Sequence, residues 1–196
     1  MRYQFLTDSY ETERLKVVSV WSMFRDEDLR VRPHPSDKRG RSVLEQMIHQ
    51  CVSENNWFKG MLGIDVGAPP LPPTETRTAF IQCYSEDSLR RVDALRPTLD
   101  EWWEQEVQFF DVSRSRAWVA VRRIAHTAHH RGQQMAMLRM LNRELHSNYG
   151  PTADTGGLAQ TGGRVIYAYS NMNGLLEGGP KAQLPKSDGQ PKTERP

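Results

Sequence analysis

Apolar side chains recur at helical spacing along most of the first 145 residues. From about 4 to 24 they fall at Phe5, Leu15, Val18, Trp21, Met23 and Phe24, one face of a helix. Pro33, Pro35 and Gly40 interrupt the pattern and make 30–41 a loop. A second helix is predicted from Ser42 to about Met61. Ser42 and Glu45 have the spacing of a capping box, and Gly63 is a natural stop. GAPPLPP (67–73) reads as a stiff linker. A third helix is expected from about Glu75 to Leu95, with a break at Pro97 and helix resuming through LDEWWEQEV (99–107). Phe109, Phe110, Asp111 and Ser113 then look like a turn into the last helix, about Arg114 to Asn142, which contains no proline and a single Gly132.

Beyond Tyr149 the periodicity ends. Residues 150–163 are rich in Gly and Thr, VIYAY (165–169) is one short β-prone run, and the chain from about 177 is polar and rich in Pro and Gly. Four long helices and one short candidate strand predict an all-α four-helix bundle over 1–149. An irregular extension packs on it over 150–176, and 177–196 forms a disordered tail.

Composition narrows the function classes. The chain has 196 residues, 26 basic and 24 acidic, for a net charge of +2. Both signs are interspersed, which argues against a nucleic-acid surface. No run approaches the roughly 18 apolar residues of a membrane span, and the N-terminus lacks an apolar signal core, so a cytoplasmic location is expected. Two cysteines, Cys51 and Cys83, are too few for a disulfide scaffold and read as packed thiols. Five tryptophans are more than a small bundle core readily hides.

The candidate chemistry lies in RRIAHTAHHRGQQM. With about 100° per residue, His126 and His130 stand roughly 40° apart and one turn apart, so both imidazoles can reach one metal ion. His129 lies about 60° off His126 on the other side and borders the same face. That face also carries Val119, Arg122, Arg123, Gln133, Met137, Met140 and Leu141. A third ligand has to come from another element. His49 is the best placed, in a second helix whose same face holds Glu45, Gln46, Val52, Ser53 and Asn56. His34 in the proline loop and His146 after the last helix are poorer candidates. Glu54 is about 140° from His49 and is not assigned as a ligand. Taken alone, these residues fit hydrogen-bonded interior histidines as well as a metal site.

The run His126-Thr127-Ala128-His129-His130-Arg131-Gly132-Gln133 resembles the H-x-x-x-H-R-G-Q signature in the last bundle helix of DinB-like proteins. His49, followed by Glu54 and Trp57, is similar to that family's third metal-binding histidine on the second helix. The resemblance covers about 4–145. It implies an up-down-down-up bundle, a His49–His126–His130 site for one divalent ion (Zn, Ni or Fe) with open positions, and a homodimer. It further implies a transferase or hydrolase that works through a metal-activated low-molecular-weight thiol or water on a small-molecule substrate. The alternative is a metal-binding or stress-response module without turnover. Arg122 and Arg123 flank the His126 face. They read first as solvent-exposed or paired with a bundle glutamate such as Glu45, with an anion clamp, Arg122 above all, as the functional alternative. Gln133 and Asn56 are either candidates to hydrogen-bond the imidazoles or ordinary interior polar residues. Loop 30–41 is most simply solvated.

Overall fold

The computed structural model describes residues 1–186. The elements are α1 (Gln4–Met23), α2 (Val43–Trp57), α3 (Arg77–Leu95), α4 (Asp100–Glu104), β1 (Glu106–Phe109), β2 (Val112–Ser115), α5 (Arg116–Met140) and α6 (Met172–Leu176). The long helices α1, α2, α3 and α5 form a four-helix bundle. In it α1 packs against both α3 and α5, and α2 packs against α5. Among the described residues no helix is long and apolar enough to cross a membrane.

Local chemistry explains where the helices start and stop. Ser42 Oγ accepts from Glu45 N–H and Glu45 accepts from Ser42 N–H, the anticipated capping box. Thr76 and Ser115 cap α3 and α5 in the same manner, through the N–H groups of Ala79 and Trp118. After Trp57, α2 widens into one π-helical turn, Phe58–Leu62, and ends at Gly63, whose φ of 73° only glycine adopts without strain.

Two sequence expectations fail here. The helix expected over 99–107 stops at Glu104, and β1 pairs antiparallel with β2, Glu106 opposite Ser115 and Phe109 opposite Val112. Phe110 makes the turn at φ 52°. Cross-strand hydrogen bonds and the packing of Phe109 against Trp57 and Trp118 outweigh a weak helical pattern. VIYAY forms no strand: Ile166 N–H instead donates to Ser147 Oγ, and Ser147 N–H to Ile166 O.

The extension after α5 folds back on the bundle. His146, fully buried, donates from Nε2 to Ala182 O at 2.8 Å, and Ala182 N–H donates to Ala168 O at 2.9 Å. The chain is therefore held to the bundle to at least Ala182, past the point where the tail was expected to begin. Residues 187–196, the rest of that expected tail, lie outside the described residues.

The core falls into two apolar clusters. One gathers Trp21, Phe24, Met47, Phe80, Tyr84 and Leu138, and the other Leu6, Tyr10, Phe58, Leu95, Trp103 and Val119. A polar layer joins them. Glu54, fully buried, accepts from Tyr10 Oη at 2.6 Å, from Tyr84 Oη at 3.0 Å and from Arg91 Nη1 at 3.2 Å, and lies 3.8 Å from Arg123 Nε. A buried carboxylate survives only with such compensation. It also explains why Glu54 is no candidate ligand: its lone pairs are already engaged.

Candidate metal centre

α5 lays a buried stripe of Val119, Arg123, Thr127, His130, Arg131, Gln134 and Met137 against the bundle. This stripe is rotated by about one residue from the one anticipated: Arg122, Gln133 and Met140 are exposed, and His126 sits half-buried at its edge. α2 brings His49 across to that edge. The ring of His49 lies 5.3 Å from that of His126 and 4.6 Å from that of His130, centroid to centroid. One ring nitrogen from each of the three histidines falls within 4.8 Å of the others. Nε2 of His126 and Nε2 of His130 are 3.3 Å apart. Two nitrogens about 2.0–2.1 Å from one tetrahedral ion are separated by roughly this distance. Three histidines close together are thus able to hold a metal ion, and none of the three brings a competing carboxylate.

Protonation favours the same conclusion. Burial, the Arg123 charge and the neighbouring imidazoles push His126 down to about 3. Burial and the charge of a protonated His49 bring His130 to about 4. His49 is also lowered, by burial and then by the positive charges of Arg41 and Arg123. At neutral pH all three rings are uncharged and have a lone pair to donate. Gln133 orients one of them: Nδ1–H of His130 donates to Gln133 Oε1 at 3.1 Å, leaving Nε2 directed at His126. Trp57 stacks on His126 at 5.9 Å, with the Arg123 guanidinium 5.5 Å from its ring centre. Nδ1 of His126 is buried without a hydrogen-bond partner, so this ring is set by packing.

The remaining sequence candidates separate cleanly. His129 is exposed and accepts from Gln133 Nε2 at 3.1 Å, placing it beside the trio. Arg122 is exposed, with its guanidinium 5.8 Å from the Trp118 ring centre. Asn56 is exposed and its side chain makes no hydrogen bond among the described residues. Of the pair Arg122 and Arg123, it is Arg123 that is buried. It donates to Thr127 Oγ1 at 2.9 Å and to Ser53 Oγ at 2.9 Å.

Sequence reasoning missed Arg41. The loop before α2 is organised: Arg32 donates to Gly40 O at 2.6 Å and pairs with Glu45. This sets Arg41 at the lip of a cleft of about 320 Å³ lined also by Gln46, Gln133, Met137 and Met140. A proline-rich loop offers no periodic signal that could have placed it. A second cavity, of about 250 Å³, lies under the C-terminal extension between Leu15, Val18, Tyr167 and Leu175, and none of the three histidines lines it.

A solved structure decides the fold. The crystal structure of a DinB-like protein from Bacillus cereus superposes with a TM-score of 0.65, covering 74% of this chain and 95% of that one at 18% identity. The fold is DinB-like. No protein-family model matches the sequence, and no curated protein does. The likeness, at 18% identity, is one of architecture.

Proposed function

We propose that this chain is a metalloenzyme in which His49, His126 and His130 hold one divalent ion that activates a water molecule or a low-molecular-weight thiol for transfer or hydrolysis. The observation behind this reading is the convergence of three imidazoles from two helices, with His129 and Gln133 exposed beside them. A bound ion supplies Lewis acidity, which brings the pKa of a water or thiol toward neutrality. Three protein ligands leave a coordination position free, as in catalytic rather than structural zinc sites. All-nitrogen ligation suits zinc, nickel or iron. Gln133 keeps Nε2 of His130 unprotonated by accepting from Nδ1, and Trp57 holds the His126 ring in register. The two α2 carboxylates nearest in sequence are engaged elsewhere, Glu54 in the core and Glu45 with Arg32. The chain's own thiols are unsuited to the nucleophile's role: burial pushes Cys51 well up and Cys83 up to about 11.

The test is elemental analysis of protein loaded with zinc, nickel or iron, followed by a panel of small thiols with an electrophilic acceptor. Wild type should bind one equivalent. His49→Ala, His126→Ala and His130→Ala should each lose it on dialysis, and His129→Ala should retain it. Full stoichiometry in His49→Ala or His126→Ala refutes the site. A loaded protein inert with every thiol and with water favours the alternative, a metal-binding module without turnover.

A further inference from the structure

The cleft beside the trio has chemistry of its own. None of the three histidines lines it, but Gln133, whose amide contacts both His129 and His130, forms part of its wall, so the cleft adjoins the trio through that side chain. Two arginines reach it. Arg39, at the surface, is paired with Asp37, with Nε at 3.0 Å from Oδ1 and Nη2 at 2.9 Å from Oδ2. Arg41 has no ion pair or hydrogen bond among the described residues. The Gln46 side chain, 3% exposed, spends Nε2 on Met137 Sδ at 3.5 Å and leaves Oε1 buried without a partner. Met137 and Met140 supply an adaptable apolar wall. Its volume is at the small end of ligand pockets.

We infer that this cleft is the substrate subsite of the histidine centre and takes a small molecule bearing one carboxylate, held by Arg41, on a short apolar body packed against Met137 and Met140. One free guanidinium matches the single charge and two-oxygen geometry of a carboxylate. A dianionic phosphate group calls for more positive charge than remains once Arg39 is paired. Gln46 Oε1 then gains a donor from the ligand or its water. The inference rests on the proposed function for its chemistry and on Arg41 for its recognition, and the two are separable.

The experiment is calorimetric titration of mercaptopropionic acid, mercaptopropionamide and inorganic phosphate into metal-loaded and chelator-stripped protein. The acid should bind about tenfold or more tightly than the amide in both preparations. Arg41→Gln should abolish that preference at unchanged metal content and melting temperature, and Arg41→Lys should keep part of it. Equal affinity for acid and amide, a preference that survives Arg41→Gln, or phosphate binding as well as the acid overturns the inference. An acid preference in protein that takes up no metal leaves the subsite standing and refutes the metalloenzyme reading.

Discussion

Glu54→Gln isolates the interaction that joins the two halves of the core. In the native protein the Glu54 carboxylate is fully buried and serves Tyr10, Tyr84 and Arg91, with Arg123 at 3.8 Å. The glutamine keeps the shape and removes the charge, so two buried guanidinium groups lose their shared counter-ion. Arg123 keeps Thr127 and Ser53, but Arg91 keeps Asp87, at 3.8 Å, and the Phe58 ring face, and its Nε and Nη2 already lack hydrogen-bond partners. Removing one partner of a buried pair costs about 3–5 kcal/mol. The hydrogen bonds that Arg123 retains place this case near about 3 kcal/mol. For a chain of this size that is a fall in melting temperature of roughly 6–12 °C. The assay is a thermal melt monitored by circular dichroism, run on chelator-treated protein so that metal plays no part. A double-mutant cycle with Arg91→Met should show a coupling of more than about 1 kcal/mol, because the second change removes the charge that the first leaves unpaired. A shift of Glu54→Gln within about 2 °C, or strict additivity in the cycle, refutes the reasoning that the pair is a buried, mutually dependent unit.

Two further outcomes follow from the geometry. Because the folded protein lowers His126 to about 3 and His130 to about 4 from 6.5, the unfolded chain takes up protons that the folded chain refuses below pH 6.5. Stability of metal-free protein should fall between pH 6.5 and about 4, and melts that rise over that interval contradict the site's electrostatics. Ending the chain after Gly179 removes both Ala182 contacts and strands the buried His146 imidazole. It should cost about 1–3 kcal/mol, whereas a stop after Lys186 leaves both bonds in place and is the control.

Much of the bundle is local chemistry, and so it was legible in the order of residues. The Ser42–Glu45 box, the stop at Gly63 and the one-turn spacing of His126 and His130 depend on neighbours within four residues. A rise of 1.5 Å and a turn of about 100° per residue carry that information without knowledge of the rest of the chain. Long-range packing decided the rest. β1 and β2 exist because each supplies the other's hydrogen bonds, which the weak helical pattern of 99–107 does not reveal. His49 reaches His126 only because α2 packs on α5, a contact between residues 77 positions apart. Arg41 reaches the cleft because Arg32 ties the loop to Gly40 and Glu45. Glu54 is buried because two tyrosines and two arginines, three of the four from other helices than its immediate partner α5, converge on it. Local sequence sets which side chains share a helix face. Which of those faces meet, and hence which histidine, arginine or carboxylate becomes part of a site, is settled by the burial of apolar surface across the whole bundle.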